Sequence, residues 1–142
     1  MKHLLSAAVL ALATQASAEG LTHRVAIHVN QADPAVMNTA LNNAQNVYSH
    51  YAEQGDAVII EMVAYGPGLQ MFVPGKSPVE QRISTMSLEM DNLKFSACGN
   101  TLKKMEKKVG HEVALMSEAE ITPSGVVRLI ELQQQGYAYV RP

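Results

Sequence analysis

The chain alternates between two spacings of apolar residues, one typical of buried strands and one typical of amphipathic helices. Short β-branched or continuously apolar runs predict five strands, at residues 24–30, 57–66, 93–97, 112–116 and 137–140. Between these runs, apolar residues recur every three or four positions, as at Met37, Ala40, Leu41 and Ala44. This spacing predicts four helices that alternate with the strands.

Start and stop signals bound the predicted helices. Three helices begin at a capping residue followed by proline, and three end at glycine: the starts are Asp33-Pro34, Ser77-Pro78 and Thr122-Pro123, and the stops are Gly55, Gly110 and Gly136. Glu80 completes a capping box with Ser77, and the remaining helix follows Cys98, Gly99 and Asn100. The stretch YGPGLQMFVPGKS, between the second strand and the second helix, contains three glycines and two prolines. It is predicted to be an irregular loop.

Strict alternation of strand and helix predicts the fold class. We expect one α/β domain with three α/β/α layers and a mostly parallel five-stranded sheet, as in flavodoxin-like folds. In such sheets, sites form beyond the carboxyl ends of the strands. The predicted strands end at His28 and Asn30, Tyr65 and the Gly66-Pro67-Gly68 loop, Cys98, and Met116 and Ser117. All of these residues are expected at one edge of the sheet.

The first 18 residues have the pattern of a secretory signal peptide. A short basic start at Lys2 leads into an apolar run, and Ala16-Ser17-Ala18 precedes Glu19, which predicts cleavage after Ala18. The apolar run is too short to span a bilayer, and no membrane insertion is expected of the mature domain, residues 19–142. The expected location is the periplasm of a Gram-negative cell.

Charge and aromatic content argue against nucleic acid as a partner. The chain has 11 basic and 13 acidic residues, and loss of Lys2 with the leader leaves ten basic residues and a net charge of −3. An acidic surface repels phosphate backbones. With no Trp and two Phe, the chain also lacks the stacking platforms that bind single strands.

The chain contains one cysteine, Cys98, at the predicted junction of a strand and a helix. One cysteine cannot form an internal disulfide, and oxidising compartments consume exposed thiols. Unpaired N–H groups at a helix start favour the reactive thiolate, and Lys103 or Lys104 could add positive charge. The alternative is a small, inert, buried residue that completes the strand. The local pattern leaves both open.

Other chemistries have less support. A phosphatase loop would need arginine where Lys104 stands, and no spacing predicts a metal, haem or nucleotide site, so no cofactor is expected. His28 and His111 could pair with a cysteine, but His28 lies in a predicted strand and His111 at the start of one, so each is interpreted as structural. Glu61 lies in an apolar strand; the sequence leaves it as an inter-subunit contact, an edge residue or part of the site.

Three segments, HRVAIHVN, AYGPGL and FSACGNTLKK, resemble the DsrE/DsrF-like family over nearly the whole mature chain. The resemblance implies a DsrE-like fold and a persulfide carried on the cysteine after the third strand, which is Cys98. It also implies assembly as trimers or hexamers, or as hetero-oligomers. The well-understood sulfur relays of the family are cytoplasmic, so their partners do not transfer to a chain with a signal peptide.

Three functions follow as hypotheses. In the first, Cys98 accepts sulfane sulfur in the periplasm and passes it to a thiol or protein acceptor, with backbone donors at Gly99, Asn100 and Thr101. The Gly66-Pro67-Gly68 loop would shape the pocket. In the second, the protein is a non-catalytic oligomeric binding module with a structural cysteine. In the third, Cys98 acts in thiol redox or soft-metal binding with His or Met of a neighbouring subunit. Whether the protein is an enzyme stays open.

Overall fold

The structure is a computed structural model that describes residues 19–142, so the predicted signal peptide lies outside the described residues. Ten elements follow one another along this part of the chain: β1 (Thr22–Val29), α1 (Pro34–Glu53), β2 (Ala57–Ala64), a 3₁₀ segment (Gly66–Phe72), α2 (Glu80–Glu89), β3 (Leu93–Cys98), α3 (Gly99–Val109), β4 (Ala119–Thr122), α4 (Gly125–Gln134) and β5 (Ala138–Val140). Within residues 19–142, no helix is both long and apolar enough to cross a membrane.

The five strands form one parallel sheet in the order β4-β3-β2-β1-β5. The pairing of β1 with β2 runs from Thr22 opposite Ala57 to Val29 opposite Ala64. At the other end of the sheet, β3 pairs with β4 in a register that places Cys98 opposite Thr122. The predicted five-stranded parallel sheet is confirmed. The strands β1, β2, β3 and β4 therefore end at the same edge of the sheet.

Helices cover both faces of the sheet, but unequally. Buried residues of α1, α2 and α3 pack with one face in the larger apolar cluster, which includes Leu41, Ile83 and Leu102. The other face has a smaller cluster, in which Leu129 and Leu132 of α4 pack with β1 and β2. The predicted α/β/α layering is therefore confirmed, with α4 as the single helix on the second face within the described residues.

The predicted irregular loop is more ordered than its composition indicated. Residues 66–72 form a 3₁₀ segment, and Leu69, Met71 and Phe72 within it are completely buried. Phe72 packs edge-to-face against Phe95 of β3, with ring centroids 5.8 Å apart. Burial of these apolar side chains holds the segment against the sheet despite its glycines and proline.

The position of the fourth strand was predicted wrongly. Residues 112–116 do not pair with the sheet; instead, the N–H of Met116 donates to the carbonyl oxygen of Phe72 at 2.9 Å. This hydrogen bond and the burial of Met116 tie the stretch to the 3₁₀ segment. The sheet gains its edge strand later, at β4, so Thr122 takes the place expected for Met116 and Ser117.

Two helix starts also differ from the prediction. The α2 helix begins at Glu80, whose carboxylate accepts from the N–H of Gly75, while Ser77 accepts from the N–H of Val79. Both side chains therefore fix the approach to the helix instead of closing a capping box. The α4 helix begins after Ser124, two residues later than Thr122-Pro123 indicated.

Glu61 is explained by a partner from α4. Its carboxylate is nearly buried and accepts two hydrogen bonds from the Arg128 guanidinium, both at 2.7 Å. The Ser96 hydroxyl donates a third, also at 2.7 Å. Burial raises the pKa of Glu61, but the hydrogen bonds from Arg128 and Ser96 and the nearby positive charges outweigh it, so the pKa lies below the usual value. This bidentate pair fastens α4 to the centre of the sheet.

Replacing Arg128 by Met should destabilise the protein by roughly 2–4 kcal/mol at neutral pH, because Glu61 would be buried without its counter-charge. The difference in the free energy of unfolding between wild type and variant should become smaller in acid. In the wild type the folded-state pKa of Glu61 is depressed, so its stabilisation is present above the unfolded pKa and is lost as the pH falls through the folded pKa. In the variant, Arg128 no longer offsets the burial of Glu61, so its pKa rises and acid neutralises the buried carboxylate. Urea denaturation at about pH 7 and about pH 4 measures both effects.

Arg24→Met provides the matched control, since Arg24 is an exposed arginine in β1. The double variant Glu61→Gln/Arg128→Met should recover part of the lost stability, because it no longer buries a charge. An Arg128→Met variant as stable as Arg24→Met would show that the pair contributes nothing net.

Candidate functional site

Cys98 is at once the last residue of β3 and the N-cap of α3. Its backbone is extended (φ −70°, ψ 113°), so the sheet fixes the direction of its side chain. The N–H of Thr101 in the first turn of α3 donates to Sγ at 3.5 Å. The sulfur thus takes the role that a Ser or Asp oxygen usually has at an N-cap.

A second helix begins beside the same sulfur. Gly125 is the first residue of α4, and a Cβ built on it would lie 3.1 Å from Cβ of Cys98. The N-termini of α3 and α4 therefore meet at Cys98. Each supplies unpaired N–H groups and the positive end of a helix dipole, and both favour a negative charge on the sulfur.

The pKa of Cys98 reflects this convergence. Burial raises the pKa of the thiol, but the Thr101 hydroxyl and the backbone N–H groups of Gly125, Thr101 and Asn100 lower it, and the pKa lies below its usual value. The N–H of Asn100 also donates to the carbonyl oxygen of Pro123 at 3.2 Å, so its interaction with the sulfur is the secondary one. The sequence predicts Gly99, Asn100 and Thr101 as backbone donors to the sulfur of Cys98. In the structure, the donor in place of Gly99 is Gly125.

Cys98 is 5% exposed and lies at the wall of a cavity of about 400 Å³. The lining residues come from three stretches of the chain that meet at the sheet edge: Tyr65, Cys98, Asn100, Thr101, Lys104, Ser124 and Val126. The volume is sufficient for a small molecule or the end of an extended chain. The thiol is therefore shielded from bulk solvent and faces a space that a reactant can enter.

Thr101 connects the thiol to the glycine-proline loop. Its hydroxyl oxygen accepts from the N–H of Gly66 at 2.9 Å, which leaves the hydroxyl proton available to the sulfur of Cys98. Gly66 has φ +56°, a left-handed conformation that favours glycine. Of the three predicted loop residues, Gly66 thus acts on the site through Thr101.

The other predicted glycines have packing roles. A Cβ on Gly68 would lie 2.3 Å from the carbonyl oxygen of Val29, and one on Gly99 would lie 3.1 Å from that of Thr122. Gly68 lets the 3₁₀ segment approach β1, and Gly99 lets α3 begin close to β4. Neither lines the cavity, and neither does Pro67.

Sequence reasoning missed the contribution of Ser124, Gly125 and Val126. The start signal at Thr122-Pro123 predicts them inside the helix. The available signal was the Ser-Gly pair itself, since serine is a preferred N-cap and glycine permits close approach of a helix start. Without the true position of β4, however, nothing in the sequence placed this helix start beside Cys98.

The two candidate histidines do not hydrogen-bond to Cys98. Nδ1 of the buried His28 shares a 2.7 Å hydrogen bond with the Tyr139 hydroxyl, and its ring lies against Tyr65, with centroids 4.4 Å apart. Burial, followed by the charge of Arg141, lowers the pKa of His28, so His28 is neutral near pH 7 and supports the cavity wall formed by Tyr65. His111 is exposed and bonds to the carbonyl oxygen of Glu112. Residues 19–142 contain no cluster of three His, Cys, Asp or Glu side chains that could hold a metal ion.

Thr101→Val should raise the pKa of Cys98, because it removes a hydroxyl donor to the thiolate and releases Gly66. Alkylation of Cys98 by iodoacetamide at pH 7 should slow by roughly threefold or more, as the thiolate fraction falls. Intact-mass measurement across a pH series gives the apparent pKa. Thr39→Val on the exposed side of α1, where the hydroxyl bonds only to the carbonyl of Ala35, should leave the profile unchanged. Identical profiles for all three proteins would exclude a role for the Thr101 hydroxyl.

Gly68→Ala should destabilise the protein by about 2 kcal/mol or more, because the new Cβ would collide with backbone instead of a flexible side chain. Gly75→Ala is the control: Gly75 has φ +75° but open space around it, so its cost should be about 1 kcal/mol. Thermal or urea unfolding of both variants provides the comparison. Equal losses would show that the approach of the 3₁₀ segment to β1 is not tight.

Comparisons with known proteins agree with this architecture. The model of the DsrE/DsrF-like family matches residues 7–142. A solved structure described as a protein of unknown function, MTH1491 from Methanobacterium thermoautotrophicum, is 26% identical, with a TM-score of 0.71 over 84% of this chain and 99% of that one. No curated protein matches the chain. Because the family model spans nearly the entire sequence, this chain belongs to the DsrE/DsrF-like family.

Proposed function

We propose that this protein carries sulfane sulfur as a persulfide on Cys98 and passes it to a thiol or protein acceptor in the periplasm. Family membership suggests a sulfur-relay type of function. The observation that carries the proposal is the meeting of two helix N-termini at one thiol of lowered pKa, beside an open cavity. That arrangement stabilises an anionic sulfur and leaves room for a second sulfur atom.

Loading requires no change in overall oxidation state. The Cys98 thiolate attacks the outer sulfur of a persulfide or polysulfide donor; a new S–S bond forms, the donor's S–S bond breaks, and its electron pair leaves with the donor as a thiolate. Unloading is the reverse reaction with a different partner. An acceptor thiolate attacks the outer sulfur, and Cys98 leaves as a thiolate. A low pKa helps both steps, since it supplies the nucleophile and improves the leaving group.

The surrounding residues have distinct roles in this scheme. The N–H groups of Thr101 and Gly125 stabilise charge on the inner sulfur, and Asn100 contributes more weakly. Lys104, which lines the same cavity, supplies positive charge near the outer sulfur. Tyr65 forms the wall that His28 supports from behind. Because only 5% of Cys98 is exposed, oxidants in the periplasm have little access to its unpaired thiol.

Location and assembly form part of the proposal. The leader pattern in residues 1–18 supports export to the periplasm. We propose a trimer or hexamer, as the family commonly forms.

A binding module without sulfur chemistry is the second candidate. The low exposure of Cys98 favours it, since buried cysteines are usually inert. In that case the cavity would hold a small ligand, and the thiol would serve only as the N-cap of α3. Cys98→Ser, which keeps a capping atom, would then retain both the fold and the bound ligand.

Exposure of the folded protein to polysulfide should add one sulfur atom, seen by intact-mass spectrometry and removed by reductant. Cys98→Ser should gain none, because serine cannot form a persulfide. Circular dichroism of the variant checks that the fold is intact. If the wild type gains no sulfur, and Cys98 reacts with a thiol reagent only after unfolding, sulfur carriage is wrong and the binding module becomes the better description.

A further inference from the structure

Two different surfaces flank the cavity that contains Cys98. On one side, α3 presents Lys103, Lys104, Lys107 and Lys108, all exposed. On the other side, α4 presents Val126, Val127 and Ile130, each about half exposed. Lys104 and Val126 both line the cavity itself, so the two surfaces meet at the thiol.

The lysines form a compact basic face. Their spacing in α3 places them on adjacent rows of one side of the helix, and within residues 19–142 none of the four forms a salt bridge. The one acidic residue among them, Glu106, accepts from the N–H of Val113 at 3.1 Å and so faces the neighbouring loop. An acidic chain overall therefore carries a concentrated positive surface beside its thiol.

We propose that this combined surface, which we call the α3–α4 docking surface, binds a partner protein that presents acidic residues next to an apolar side chain. Charge complementarity with the lysines sets the acidic character of the partner, and the exposed α4 residues account for the apolar part. Protein interfaces commonly combine an apolar centre with a charged rim. The inference rests on the proposed function, because it assigns the docking surface to the donor or acceptor that exchanges sulfur with Cys98.

The shape of the site favours a protein segment over a membrane or nucleic acid. Cys98 is 5% exposed, so a flat bilayer on the two helices would bridge the cavity without reaching the sulfur. Four lysines on a chain of negative net charge make a weak site for a polyanion. A narrow protein segment can enter the cavity while its flanking residues contact the two helices.

The test uses two peptides of about twelve residues, each with one cysteine beside two leucines, so that the leucines can contact the apolar side chains of α4. One carries glutamates and the other has glutamines at the same positions. The peptide cysteine is joined to thionitrobenzoate as a mixed disulfide. When the Cys98 thiolate attacks the peptide sulfur, the S–S bond to thionitrobenzoate breaks and thionitrobenzoate leaves as a coloured thiolate. Its absorbance gives the reaction rate.

The glutamate peptide should react about tenfold faster than the glutamine peptide at low salt, and the advantage should disappear at high salt. The variant Lys107→Gln/Lys108→Gln should reduce the preference at least threefold while its reaction with the glutamine peptide changes less than about twofold, because Lys103, Lys104 and the other residues next to the thiol are retained. Arg24→Glu, at the opposite end of β1, should keep the preference. Val127→Ser/Ile130→Ser should slow the reaction of both peptides to the same extent, because both peptides carry the leucines that contact the apolar side chains of α4.

The outcomes separate this inference from the proposed function. Equal rates for the two peptides in wild type, with normal sulfur gain from polysulfide, would overturn the docking surface and leave sulfur carriage standing. A charge preference without any sulfur gain would support the docking surface and reject sulfur carriage. Sedimentation with phosphatidylglycerol vesicles provides the membrane arm: lysine-dependent vesicle binding without a preference between the peptides would assign the basic face to a lipid surface and overturn the proposal.

Discussion

The structure depends on a constraint of parallel sheets: every strand that enters a helix does so at the same edge. In this chain the constraint places the starts of α3 and α4 within contact distance of one side chain, Cys98. A helix start has N–H groups that its own backbone cannot satisfy. Two such starts around a sulfur make a local environment that prefers a negative charge, although the protein as a whole is acidic.

The second helix stays in place through an interaction on the sheet itself. Arg128 lies one turn after Gly125 and donates two short hydrogen bonds to the carboxylate of Glu61. Because α4 is the single described helix on its face of the sheet, few apolar contacts are available to position it. The ion pair therefore fixes the height and rotation of α4, and through them the distance of Gly125 from the sulfur. The Glu61–Arg128 pair, which stabilises the fold, therefore also positions a backbone donor to the thiol.

The parts of the fold with strong periodicity could be predicted from the sequence, and so could the position of Cys98 at the junction of β3 and α3. The fourth strand could not, because residues 112–116 are as apolar as a strand but pack on the 3₁₀ segment. The polar, exposed β4 gave no comparable signal. This one error concealed the start of α4, and with it Gly125, Ser124 and Val126. An acidic residue in an apolar strand marks Glu61 as unusual in the sequence, but only the fold brings Arg128, 67 residues away, to it.

Because Cys98 both ends β3 and caps α3, the number of residues in β3 decides which face of the sheet the sulfur lies on. Successive residues of β3 point to opposite faces, so Cys98, two residues after Ser96, shares the face on which Ser96 bonds to Glu61 and on which α4 lies. Inserting or deleting one residue within β3 would turn the sulfur to the face covered by α1 and α2, away from α4 and the cavity. The six residues of β3 therefore set a length that cannot be shortened or extended by one without moving the sulfur away from the N-terminus of α4.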